Sequence, residues 1–130
     1  MAEFNQDPRA SGPVITGFTA RGFKLDGDNL GPRRVESSLV LTPVSAMPWA
    51  VATIDALDIA AMGQVLAMDP APEFLLLGTG PGLAHPPRSF IQAMEAHNIG
   101  VEVMDSRAAA RAWGILRSED RWIAAAIIGL

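Results

Sequence analysis

The chain has 130 residues, 49% of them hydrophobic, with a net charge of −4 at pH 7 and no cysteine. That length and apolar content describe one folded domain with a sizeable core and exclude a disordered protein. The acidic balance, with a pI near 5.0, lacks the basic footprint that nucleic acid or an anionic membrane demands, and the missing thiols exclude disulfides, cysteine nucleophiles and thiolate metal sites.

Residues 1–13 carry Glu3, Asp7 and Arg9 without an apolar core, so they are not a secretory signal and read as a flexible tail ahead of a single domain over 14–130. Val14 to Leu25 alternates loosely through Ile15, Phe18, Phe23 and Leu25, which predicts strands leading to a turn at Asp26-Gly27-Asp28-Asn29. Ser37 to Thr42 predicts another strand, ended by Pro43, and Trp49 to Ile54 a further one beyond Pro48. Asp58 is placed to cap a helix over Ile59 to Met68, which Asp69-Pro70 and Pro72 terminate.

The stretch from Phe74 to Asp105 is the most informative. An apolar run, Phe74-Leu75-Leu76-Leu77, meets a glycine-rich turn, Gly78-Thr79-Gly80-Pro81-Gly82. After Pro86-Pro87 an amphipathic segment buries Phe90, Ile91, Met94 and Ile99 while Gln92, Glu95 and Asn98 face outward, and Gly100 to Met104 is a second apolar run. This is a β–α–β unit with parallel strands, whose carboxyl ends share a rim where ligands tend to sit. Ser106 is expected to cap a helix over Arg107 to Trp113 closed by Gly114, followed by a hairpin turn at Ser118-Glu119-Asp120. Ala124 to Ile128 has no polar face and predicts a central strand. The fold class is α/β: a single three-layer domain, a mixed β-sheet with a parallel β–α–β unit over 74–105 flanked by helices, plus a β-rich N-terminal half. The longest apolar run, Trp122 to Leu130, is far below the roughly 20 residues of a spanning helix.

Leu76-Leu77-Gly78-Thr79-Gly80, Pro86-Pro87, Gly100-Val101-Glu102-Val103-Met104-Asp105, Ala108-Ala109-Ala110-Arg111, and Arg121 with Ala124-Ala125-Ala126 also carry a resemblance. Their order and spacing resemble a family of small α/β domains of unknown function that includes the mitochondrial NADH:ubiquinone oxidoreductase (complex I) assembly factor 3. The resemblance implies a mixed sheet with packed helices and a role in assembly or chaperoning; it supplies no catalytic residues. One departure stands out: where the family reads Thr-Tyr-Asn, this chain has Ala112-Trp113-Gly114, losing a hydroxyl and an amide.

Each candidate site residue has two readings. The turn at Gly78, Thr79 and Gly80 can offer backbone N–H groups to an anion, but no Gly-Lys-Ser/Thr follows it and Leu83 breaks a dinucleotide fingerprint; the alternative is a tight strand exit needing positive φ. Asp105 ends the second strand, where a nucleotide fold places its ribose-binding acid, and equally precedes a helix start, where a carboxylate caps free N–H groups. Arg107 and Arg111 share a helix face, as an anion clamp near Thr79 and Asp105 or as a solvated face with Arg111 pairing Glu102, Asp105 or Glu119. Trp113 is core packing or an exposed partner anchor. Met62, Met68, Met94 and Met104 read as core filler. His85 and His97 lack partners at metal-ligand spacing, and neither a metal, a cofactor nor a nucleophile–base set is indicated. The expectation is therefore a non-enzymatic assembly or interaction factor in the cytoplasm of a bacterium. Its partner would be a protein, with peripheral association to a membrane complex. The alternative is a small-molecule or nucleotide-phosphate-binding domain using the crevice at Gly78–Gly82 and Asp105.

Overall fold

A computed structural model describes residues 12–130. The chain opens with three short antiparallel strands, β1 (Val14–Phe18), β2 (Phe23–Asp26) and β3 (Arg33–Val35), which form a sheet of their own in the order β1-β2-β3. Thr19 closes the first turn: its N–H donates to the Gly22 carbonyl and its hydroxyl accepts from the Gly22 N–H at 2.8 Å. The second turn is clamped by Arg33, which donates to both carboxylate oxygens of Asp28 at 2.7 and 2.8 Å. The expected tail over 1–13 lies outside the described residues except for Gly12 and Pro13, and Pro13 is buried.

The second sheet holds the core. Its strands are β4 (Leu39–Thr42), β5 (Ser45–Pro48), β6 (Phe74–Gly78), β7 (Gly100–Met104) and β8 (Ala124–Ile127), ordered β5-β4-β8-β6-β7. β6 runs parallel to both β7 and β8, while β4 pairs antiparallel with β5 and β8. The segments 74–77 and 101–104 are thus adjacent and codirectional, as the apolar runs predict, and β8 is the middle strand. The β-rich first half divides between the two sheets, giving a mixed α/β architecture.

Side-chain alternation sorts the layers. Leu75 and Leu77 of β6, with Ala124 and Ala126 of β8, pack on one face beneath α1 (Gly63–Leu66) and α2 (Arg88–Ala96). Leu76, Ala125 and Ile127 point the other way, into a cluster with Trp113 and Ala109 of α3 (Ser106–Ser118) and with Phe23 and Leu25 of the small sheet. Leu75, Leu76 and Leu77 are at most 1% exposed, each burial worth about 1.5–3 kcal/mol, so this run anchors the strand. The alanines of β8 keep the middle strand thin where helices press from both sides.

Several sequence expectations are corrected. The strand after Pro43 is Ser45–Pro48, not Trp49 to Ile54: Pro43 and Val44 make a two-residue hairpin in which Thr42 Oγ1 accepts from the N–H groups of Val44 and Ser45. Pro48 ends this strand at the sheet edge, where its missing N–H removes no ladder bond. The third helix does not stop at Gly114 but runs to Ser118, so Ile115-Leu116-Arg117 is helical and Ser118-Glu119-Asp120 is its end, not a hairpin turn. Gly114 is solvent-exposed with open space around it, and packing of Trp113, Leu116 and Arg117 at helical spacing outweighs its cost of about 1 kcal/mol. The helix closes at Asp120, whose φ is +60°. Finally, Asp105 rather than Ser106 is the cap, accepting from the Ala108 N–H at 2.9 Å. Asp58 is an N-cap as expected, accepting from Ala60 N–H, but its helix is short: a 3-10 turn over Ile59–Met62 that runs into α1.

Candidate functional site

The parallel exits of β6 and β7 do share a rim. The Thr79 N–H donates to the Met104 carbonyl at 2.9 Å, and the Ser106 N–H donates to the Gly80 carbonyl at 2.8 Å, bringing Gly78, Thr79, Gly80 and Asp105 together. Ser106, fully buried, is the central element: its hydroxyl accepts from the Gly80 N–H at 2.8 Å and donates to the Ile128 carbonyl at 2.6 Å. It thereby joins the exit of β6, the exit of β8 and the first turn of α3. A Cβ on Gly78 would meet Ile127 Cγ2 at 2.9 Å and the Ser106 backbone at 3.0 Å, so only glycine lets the helix approach this closely.

The polar groups of the glycine turn are largely engaged within the protein. The N–H groups of Thr79 and Gly80 are engaged inside the protein, and the Thr79 hydroxyl donates to the Gly82 carbonyl at 2.7 Å while accepting from the Ala84 N–H. Gly80 has φ +108°, the positive value expected of a tight strand exit. Asp105 acts as a helix cap, the second of its two readings.

The remaining candidates lie elsewhere. Arg107 is exposed and stacks its guanidinium over the Phe18 ring, 5.7 Å from the centroid, while exposed Arg111 borders a shallow groove of about 220 Å³ beside Ile15 to Phe18. Both therefore face β1. Trp113 is fully buried and its indole N–H donates to the Pro13 carbonyl at 2.9 Å, which overturns the exposed-anchor reading: the helix continues past it and the small sheet covers it. The other indoles are also engaged, Trp49 with the Ala61 carbonyl and Trp122 with the Pro70 carbonyl. Met62 and Met94 are fully buried, and Met68 and Met104 pack against the core clusters.

The carboxylates held below their ordinary range are away from the rim. The Arg33 side chain holds Asp28 down, and Arg121, donating through Nε and Nη2, holds Glu73 down at the start of β6. Among the described residues no three His, Asp or Glu are gathered to hold a metal.

Two surface features went unremarked in the sequence. One is an open apolar groove of about 570 Å³ at the β4–β5 hairpin, bounded by Val44, Met47, Met68 and Trp122, with Val44 76% exposed. The other is a groove of about 520 Å³ between α2 and β7, floored by Ile91, Val101 and Val103 and bordered by His85, Arg88 and Glu95. The second was traceable in principle, since Arg88 and Glu95 fall seven residues apart on the outward face of a predicted helix beside a predicted strand.

A family model described as a protein of unknown function (DUF498/DUF598) matches residues 15–128. The chain belongs to this family. Of the proteins it is similar to, the zebrafish (Danio rerio) NADH dehydrogenase [ubiquinone] 1 alpha subcomplex assembly factor 3 is 28% identical over 95% of this chain and 68% of its own length. Its human (Homo sapiens) counterpart is 28% identical over 95% and 64%. The chain spans between 59% and 68% of the length of the assembly-factor relatives it matches. An uncharacterised protein of Rhodobacter capsulatus is 33% identical over 89% of this chain and 91% of its own. The fold recurs in the solution structure of a Xanthomonas campestris protein, with TM-score 0.73, 30% identity and coverage of 98% and 92%. A Bordetella pertussis protein described as an Mth938-like domain shares the fold at TM-score 0.76 and 19% identity, over 98% and 91%. Among the described residues no helix is long and apolar enough to cross a membrane.

Proposed function

We propose that this chain is a non-catalytic assembly module that binds a protein partner and assists construction of a respiratory membrane complex from the cytoplasmic side of a bacterial cell. The observation that carries the reading is the similarity, over nearly the whole domain, to relatives that bear the name of a complex I assembly factor. Two features of the surface support it. The rim at Gly78, Thr79, Gly80 and Asp105 uses its own polar groups to lock the strand exits together, so it serves as a frame for neighbouring surfaces. Exposed apolar side chains at Val44 (76%), Leu83 (67%) and Ile115 (60%) leave surface of the kind that partners cover.

Deletion of the gene in its native host, followed by native electrophoresis of solubilised membranes, tests the reading. Assembled NADH dehydrogenase complex should fall and subcomplexes accumulate. A deletion strain with wild-type amounts of every respiratory complex, from which the reintroduced protein captures no partner, overturns it.

A further inference from the structure

We propose that the groove between α2 and β7 receives an extended segment of a protein partner, which adds to the sheet as a strand beside β7 and carries an acidic residue at the Arg88 end and a basic residue at the Glu95 end. This proposal rests on the protein-binding reading above and assigns it a place.

The edge comes first. β7 is the last strand of its sheet, and among the described residues it pairs with β6 alone. In a parallel ladder alternate residues direct both backbone groups to the same neighbour. Met104, partnered with Gly78, accepts from the Thr79 N–H, so Met104, Glu102 and Gly100 face β6. By alternation the N–H and C=O groups of Val101 and Val103 face outward, along the groove. Such a row is a template for an added strand unless it is covered or blunted. The opposite edge, β5, is blunted by Pro48 at its end.

The groove supplies the second condition, a place for alternate side chains. The half-buried side chains of Val101 and Val103 lie on the α2 face of the sheet and form an apolar floor with Ile91. A strand added beside β7 would set every second side chain against this floor.

Charge then selects the occupant. α2 runs antiparallel to β7, which puts Arg88 and His85 near the carboxyl end of β7 and Glu95 near its start. Arg88 and Glu95 are separated by seven helical residues, about 10 Å, while residues i and i+4 of a strand are about 13 Å apart. Side chains of arginine and glutamate span the difference. An antiparallel peptide, the slightly more stable pairing, would therefore read Asp-x-Val-x-Lys from its N-terminus, the valine seated against Ile91.

The test uses the isotope-labelled full chain and the synthetic peptide acetyl-Thr-Asp-Thr-Val-Thr-Lys-Thr-amide, titrated to millimolar concentration. Backbone amide shifts should move first at Val101 and Val103. Arg88→Glu should weaken the response roughly two- to fivefold, the scale of an exposed charge pair. Val103→Pro, which removes an outward N–H at an edge and trims a half-buried side chain, should lower the melting temperature modestly while the chain still folds, and abolish the shifts. Shifts confined to other surfaces, or unchanged in both variants, overturn the proposal. The partner captured from the native host separates the two readings. Capture by wild type but equally by Arg88→Glu and Val103→Pro sinks the groove and keeps the assembly role; no capture by wild type sinks the assembly role itself.

Discussion

Trp113 donates its indole N–H to the carbonyl of Pro13 across one hundred residues of sequence, tying the middle of α3 to the segment that leads into β1. The ring is fully buried among Phe23, Leu25 and Leu39, so this side chain helps join the small sheet to the large one. Trp113→Ala should cost about 3–5 kcal/mol, the range for deleting a buried aromatic. Trp113→Phe keeps most of the packing but orphans the Pro13 carbonyl, at about 1–3 kcal/mol. Urea unfolding gives both values, and amide exchange in Val14–Phe18 should quicken in the phenylalanine variant. Unchanged exchange there would place the tether elsewhere.

Ser106 makes a second, shorter-range argument about the rim. Replacing it with alanine leaves the Gly80 N–H and the Ile128 carbonyl buried without a partner. The expected loss is about 1–3 kcal/mol. Ser118→Ala in the same helix removes only an exposed hydroxyl bonded to the Ile115 carbonyl and should stay within about 0.5 kcal/mol. Equal effects from the two serines would mean that the Ser106 clip contributes nothing to stability.

The contrast between these residues also marks where sequence stops being legible. Leu75, Leu76 and Leu77, the helix after Pro87 and the Val101–Met104 run declare a β–α–β unit by themselves, because their periodicity reports burial on specific faces. The shared rim followed from that unit alone. The role of Ser106 did not, since its hydroxyl bonds residues 22 and 26 positions away, and the local pattern reads it as an ordinary cap. Trp113 next to Gly114 reads as a helix end open to solvent; the small sheet, from the opposite end of the chain, covers it. Likewise the apolar run from Val44 to Ile54 has no alternation to fix its strand, and the choice of Ser45–Pro48 comes from pairing with β4.

The Asp28–Arg33 clamp predicts a pH dependence. Hydrogen bonding to the guanidinium holds the Asp28 carboxyl below its ordinary value in the folded protein. A depressed folded pKa contributes stability that is fully present above the unfolded value, about 3.9, and is lost as pH falls through the folded one. Asp28→Asn should therefore be less stable than wild type at pH 7, by no more than about 1 kcal/mol for a partly exposed pair, and the gap should close as pH drops from about 4 to 2. Urea midpoints at several pH values measure it; a gap that stays constant over that interval contradicts the assignment.

Two glycines give opposite expectations from the same substitution. At Gly78 a new Cβ meets Ile127 and the backbone of Ser106 within 3.0 Å, and neither the helix start nor the buried middle strand can yield without breaking the Ser106 bonds. Gly78→Ala should destabilise by about 1–3 kcal/mol, the range for overpacking a core. Gly114 stands inside α3 with nothing within 4 Å of its missing Cβ. There alanine fits the helical backbone and restricts the unfolded chain, so Gly114→Ala should stabilise by about 0.4–1 kcal/mol. Thermal unfolding of the two variants decides the matter by sign alone. A melting point raised by Gly78→Ala, or lowered by Gly114→Ala, would mean that the helix α3 meets the exit of β6 less closely, or ends earlier, than the structure describes.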